Sequence, residues 1–149
     1  RMQRGHDAEQ VYRVAEQARA IRPDVALTAD FIVGFPGESD HEHQQTIELV
    51  TQIGFAKLHV FPFSPRQGTP AATLPDQLHG QLKKQRAAAL RNLGNRSRQT
   101  FIEGQLGKPA SVLVETGGRG LTTNYIRIKV PDATVGEIHK LTVTTDLLA

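Results

Sequence analysis

The sequence predicts an α/β unit built on parallel strands, followed by a small antiparallel β module. Three observations carry this. Helix and strand patterns alternate as helix, strand, helix, strand up to about residue 63, the signature of βαβ units. A long basic helix follows. Beyond Gly107-Lys108-Pro109 the periodicity changes to an apolar/polar alternation rich in Val, Ile and Thr. The chain of 149 residues has room for one large domain or two small ones, so a division into residues 1–106 and 107–149 is expected.

Residues 7–22 form the first predicted helix. Val11, Val14, Ala15, Ala18 and Ile21 recur at helical steps, Asp7 and Gln10 make a capping box, and Pro23 ends the helix. Residues 25–33 are mostly apolar, as in a strand buried on both faces of a parallel sheet. Gly34-Phe35-Pro36-Gly37 breaks the strand, and Ser39 with Glu42 caps a second helix carrying Ile47, Val50 and Ile53. Gly54 closes that helix, and residues 57–63 read as a strand. A long helix is expected from Asp76 to Glu103, with Gly94 as a bend or break. Residues 110–116, 121–130 and 137–145 read as three antiparallel strands joined by turns at 117–120 and 131–136.

Composition narrows the classes. Apolar residues, at 38%, suffice for a core, and no run approaches the roughly 18 residues of a membrane span. The start does not resemble a secretory signal and lacks an initiator Met, as an excised fragment would. There is no cysteine, so disulfides and thiolate metal sites are excluded within these residues. Net charge is +3, and it is unevenly placed: from Asp76 to Lys108 seven basic residues face two acids. Those from Lys83 to Arg98 are spread around the helix and are expected to form a solvated surface. The six histidines suggest no metal site: His41 and His43 are two apart on a helix and diverge, and His59 reads as a hydrogen-bonding strand residue.

Two loops follow predicted strands, where ligands of α/β folds gather. Gly34-Phe35-Pro36-Gly37-Glu38 allows close backbone approach to a ligand, or is a plain strand-to-helix turn. It matches neither GxGxxG nor a phosphate-binding P-loop, so it implies no nucleotide-phosphate site. Ser64-Pro65-Arg66-Gln67-Gly68-Thr69-Pro70-Ala71 offers an Arg for a carboxylate or phosphate, or is a rigid loop with a solvated Arg. The two loops are expected side by side on one rim.

The order D-F-I-V-G-F-P-G-E, a helix, then K-L-H-V-F-P-F-S-P-R-Q-G-T-P-A-A resembles the radical-SAM methylthiotransferases of the MiaB-like family. The opening Arg1-Met2-Gln3-Arg4-Gly5-His6 resembles their M-x-R-x-H/Y segment, and Leu121-Thr122-Thr123-Asn124-Tyr125-Ile126-Arg127-Ile128 resembles the TRAM module that closes these enzymes. K-L-H-V-F-P-F-S is most similar to the MtaB branch, which acts on threonylcarbamoyl-adenosine beside the tRNA anticodon. The prenyl-adenosine and ribosomal-protein branches share the loop motifs.

The resemblance implies the later part of a (β/α) radical-SAM barrel followed by a TRAM-like module, in a cytoplasmic tRNA-modifying enzyme. It implies S-adenosylmethionine and two four-iron four-sulfur clusters in the parent protein, whose cysteine ligands would lie before residue 1. None is held through cysteine here, so no metal ligand or catalytic residue is assigned and the fragment alone is expected to be inactive. By analogy the fifth and sixth barrel strands face the cofactor with Asp30, Ile32, Gly34, Phe35, Gly37, Glu38, Val60, Phe61, Pro62 and Arg66. Asp30 would face the barrel interior, or be a structural acceptor. Lys108, Arg119, Asn124, Tyr125, Arg127 and Lys129 would meet RNA, the last three of the 125–129 alternation sharing one strand face. A solvated face with one packed Tyr is the alternative. As a separate reading, the chain is an RNA-binding module without catalysis. The expected partners are tRNA, no membrane, and a second copy through the exposed sheet edges of half a barrel.

Overall fold

The computed structural model describes Met2 and residues 4–149, so Arg1 and Gln3 of the opening segment lie outside the described residues. The first half runs α1 (Ala8–Ile21), β1 (Thr28–Val33), α2 (Asp40–Ile53), β2 (Lys57–Pro62) and α3 (Gly80–Glu103). The second half is β3 (Pro109–Glu115), β4 (Arg119–Thr122), β5 (Arg127–Lys129) and β6 (Ile138–Thr142). The architecture is mixed α/β with one parallel and one antiparallel sheet.

Both capping boxes form. The Asp7 carboxylate accepts from the Gln10 amide at 2.9 Å while the Gln10 side chain accepts from the Asp7 amide at 2.9 Å. Ser39 Oγ accepts from the Glu42 amide at 3.2 Å, and Glu42 Oε2 accepts from the Ser39 amide at 2.7 Å. Each cap satisfies amides that the first turn leaves without partners, worth about 1 kcal/mol. Gly54 ends α2 in the left-handed region at φ 63°, and Arg19 of α1 donates to the last carbonyls of α2, those of Ile53 and Gly54.

β1 and β2 pair in parallel, with Asp30 beside His59 and Ile32 beside Phe61. The helices cover one face only. Ala15, Val33, Val50, Ile53, Phe55, Val60, Ala87 and Leu90 form that core, flanked by Phe31 and Leu58. Thr28, Asp30 and Ile32 on the other face are exposed, as are Lys57, His59 and Phe61. The expectation of a strand buried on both faces is corrected accordingly: an apolar strand in this chain has packing on one side and an open inner surface on the other.

α3 starts at Gly80 with His79 as its cap, later than expected, because Asp76 adopts a left-handed φ of 59° that a helix cannot continue. Gly94 does not break it. Gly94 is buried, and a Cβ there would lie 3.0 Å from Leu58 Cδ1, so the glycine lets α3 close onto β2.

The antiparallel sheet has four strands in the order β5-β4-β3-β6. Val112, Val114, Ile126, Ile128, Val130 and Val143 form its core with Phe101 and Ile102 from the end of α3. The expected strand 121–130 is two strands. Tyr125 takes φ 64°, its amide donates to the Thr122 carbonyl at 3.0 Å, and Thr122 Oγ1 accepts from the Ile126 amide at 2.8 Å. Gly120 lies where a Cβ would come within 2.9 Å of the Leu113 carbonyl, so β3 and β4 approach closely only with glycine there.

Polar contacts join the two halves. Asn124 Nδ2 donates to Gln105 Oε1 at 3.2 Å and to the Asp24 carbonyl at 3.5 Å. Arg22 Nη2 donates to Thr123 Oγ1 at 3.1 Å. Arg22 also pairs with Asp24, whose hydrogen bond from that guanidinium holds its carboxyl below the usual range.

Candidate cofactor rim and nucleic-acid face

The turn after β1 is held from several directions. Gly34 and Gly37 both take φ 73°, which only glycine adopts without strain. Glu38 turns back so that its carboxylate accepts from the Gly34 amide. The Gly37 amide donates to the Asp76 carbonyl at 2.9 Å. Arg86, on α3 and only 4% exposed, donates to the Glu38 carboxylate at 3.0 Å, the Glu38 carbonyl at 2.8 Å and Asp40 Oδ1 at 2.6 Å. Burial works against the Arg86 charge, but the bonds to Asp40 and Glu38 outweigh it and raise its pKa. His43 Nδ1 lies 3.8 Å from Glu38 Oε1 with no hydrogen-bond partner among the described residues. Burial lowers the His43 pKa, Arg86 adds to that, and Glu38 and Asp40 partly oppose it.

Arg86 was not legible as a site residue: the basic helix reads as solvated, yet this guanidinium is the buried anchor of the turn. Lys83 also turns inward, its ammonium 5.8 Å from the Phe63 ring centroid.

The two strand ends meet where the rim loops begin. Phe35 and Phe63 pack edge to face at 5.1 Å, and the Phe63 amide donates to the Val33 carbonyl at 2.7 Å. Ile32, Phe35 and Glu38 share a cavity of about 440 Å³ with Met2, Arg4, His6 and Thr46. Asp30 and Ile32 border a larger apolar cleft of about 720 Å³ against α1, where Asp30 is exposed on the open inner face. Val60 and Phe61 line a separate groove on the outer edge of β2, and the Val60 carbonyl already accepts from Arg91 at 2.8 Å. Pro62 and Arg66 are exposed, with the Arg66 carbonyl accepting from Thr69 Oγ1 at 2.7 Å.

On the β module, Arg119, Arg127 and Lys129 face outward, with Arg119 directly opposite Lys129. Arg127 makes an exposed ion pair with Glu115 at 3.4 Å. Lys108 is exposed at the junction. Tyr125 is 66% exposed but sits in the turn, so it does not extend the Arg127–Lys129 strand row as expected. Asn124 is 8% exposed and points into the joint, with Thr122 Oγ1 donating to its carbonyl oxygen at 2.7 Å. Asn124, expected among the residues that meet RNA, instead turns its side chain into the junction. The described residues contain no cluster of His, Asp and Glu able to hold a metal ion. No described helix is long and apolar enough to cross a membrane.

These features define a mixed α/β segment, two parallel strands packed under helices on one face and joined to a small antiparallel β module. No family model matches the chain. It is similar to curated proteins named tRNA-2-methylthio-N(6)-dimethylallyladenosine synthase: 42% identical over 118 residues to that of Erythrobacter litoralis, and 38% over 118 residues to that of Zymomonas mobilis. With that of Magnetococcus marinus it is 36% identical over 155 residues, covering 98% of this chain. The chain spans 26% of the first two relatives and 36% of the third. Its homologues are thus MiaB-like methylthiotransferases, matched over a part of their length. All three carry the name of the prenyl-adenosine branch, which does not support the MtaB branch expected from K-L-H-V-F-P-F-S.

Proposed function

We propose that this chain forms the cofactor rim and RNA-binding end of a tRNA methylthiotransferase, with the change from one to the other near residue 107. The observation that carries it is the packing of Phe35 on Phe63 at the carboxyl ends of β1 and β2, in a chain matched over 98% of its length by one such synthase. Ile32 and Phe35 fit one side of S-adenosylmethionine, as apolar walls for a purine beside a backbone thinned by Gly34. Bound and cleaved, that cofactor supplies the radical and the methyl group. The role of this chain is to seat it: Glu38 and Arg86 fix the turn that presents Ile32 and Phe35. Iron–sulfur clusters do not fit here, since no cysteine is present.

The relatives' names favour dimethylallyl-adenosine as the nucleoside. The stretch Lys57–Ser64 favours a second reading, threonylcarbamoyl-adenosine. Expressing the open reading frame that encodes this chain in cells lacking methylthiolated tRNA decides both. Mass spectrometry of tRNA nucleosides should show one of the two methylthio-adenosines, and the mass identifies the branch. A reading frame without a CxxxCxxC motif upstream, or no methylthio nucleoside, overturns the proposal. The isolated chain should neither bind iron nor cleave S-adenosylmethionine.

A further inference from the structure

The outer edge of β2 and one face of α3 enclose a groove of about 360 Å³. Its lining includes Lys57, His59 and Phe61 from the strand, and Arg91, Asn95 and Arg98 from the helix. Both sets follow from periodicity. Residues 57, 59 and 61 alternate onto the open face of the sheet, and 91, 95 and 98 fall on one face of α3, which packs on the other side, so the two sets meet across the edge of β2. No acidic residue lines the groove, and α3 has none before its last residue, Glu103. The side chains of Lys57, His59, Asn95 and Arg98 have no hydrogen-bond or ion-pair partner among the described residues. Phe61 is 51% exposed.

We propose that this groove is a binding track for a single-stranded stretch of RNA backbone, separate from the basic face of the β module. The inference rests on the RNA-binding reading above. Three observations favour RNA over other occupants. The cations are strung along a line: Arg91 and Arg98 are about 10 Å apart along the helix axis, and Lys57 and Phe61 about 13 Å apart along the strand. A small anion needs a cluster rather than a line. Phe61, exposed on the same strand face as Lys57 and His59, offers a surface for a base to stack on beside a charged edge. Finally, Arg91 donates to the Val60 carbonyl at 2.8 Å and so occupies the β2 edge, which discourages a strand from another protein from pairing there. The Phe61 end of the groove lies at the carboxyl end of β2, on the side of the proposed reaction rim. A track there would lead the RNA toward the rim.

The test is the affinity of the 149-residue chain for an anticodon stem–loop RNA across a series of salt concentrations. Lys57→Ala with Arg98→Ala should weaken binding at low salt and flatten the log–log salt slope by about 1.4–1.8, the value for two lost phosphate contacts. Both residues make no side-chain bonds, so the fold should survive, which circular dichroism and the urea midpoint check. Arg127→Ala with Lys129→Ala provides the contrast on the β module. If the groove pair leaves the slope unchanged while the module pair flattens it, the groove inference falls and the RNA-binding end stands. If the wild-type chain shows no salt-dependent RNA affinity, both fall. Flattening by the groove pair, additive with the module pair, supports the track.

Discussion

The two rim loops have similar compositions and opposite support. The turn at residues 34–38 is tied down by tertiary contacts: Gly34 and Pro36 are buried, Glu38 folds back on the Gly34 amide, and Arg86 reaches in from α3. The loop at residues 64–70 is exposed throughout and is held by short-range bonds such as Thr69 to the Arg66 carbonyl. The first is pre-organised, and a ligand meeting it pays little ordering entropy. The second owes its shape to Pro65, Pro70 and its own turn, so any order beyond that must come from what binds it.

The strongest way to break this contrast is Arg86→Met. It leaves the largely buried Glu38 carboxylate without its guanidinium, and breaking such a pair typically costs 3–5 kcal/mol. The expectation is about 3 kcal/mol by urea unfolding. The Asp40 half adds little because that side chain is 95% exposed. Arg86→Lys should fall between, keeping charge but losing the fork that reaches Glu38 and Asp40 together. A loss below about 0.5 kcal/mol for Arg86→Met would show that the turn holds itself and that the difference between the loops is only apparent.

A smaller effect separates the loops through their glycines. Gly34 and Gly68 both have positive φ, 73° and 80°. A side chain at either is strained by about 1 kcal/mol. A Cβ on Gly34 also collides with the Lys83 side chain, whereas nothing lies within 4 Å of Gly68. Gly34→Ala should therefore cost about 2 kcal/mol and Gly68→Ala about 1 kcal/mol, read from thermal or urea midpoints. Equal costs would mean that Lys83 swings away freely and is not part of the lock.

How much of this was legible follows the range of each interaction. The capping residues Asp7, Gln10, Ser39 and Glu42 lie three apart, and the helices they start were placed to within a residue. The rim loops were legible as loops, because Gly and Pro act locally. The lock was not: Arg86 meets Glu38 across 48 residues, and nothing in a basic helix marks which Arg turns inward. Gly94 misled because its local meaning, a weak helix point, is overridden by close packing on Leu58. Tyr125 misled in the other direction. Burial alternates without a break from 121 to 130, yet the chain turns at Tyr125 without a glycine or proline to announce it.

The smallest effect tests whether the locked turn carries a pH dependence that the open loop lacks. His43 is held below its ordinary pKa, chiefly by burial and further by Arg86. The unfolded chain therefore takes up a proton first as the pH falls. Stability is lost on acidification, starting as the pH passes down through the unfolded value of about 6.5 and ending at the lower folded value. Between pH 7.5 and 5.5 the wild-type chain should lose up to about 1 kcal/mol more than His43→Gln, which has nothing to titrate at that position. The other five histidines are common to both chains and cancel in the difference. Identical pH slopes for the two chains would mean that Glu38 and Asp40 fully offset burial. The 64–70 loop contains no histidine or acid, so a pH-dependent loss that tracks His43 belongs to the turn after β1 and to the network that fixes it.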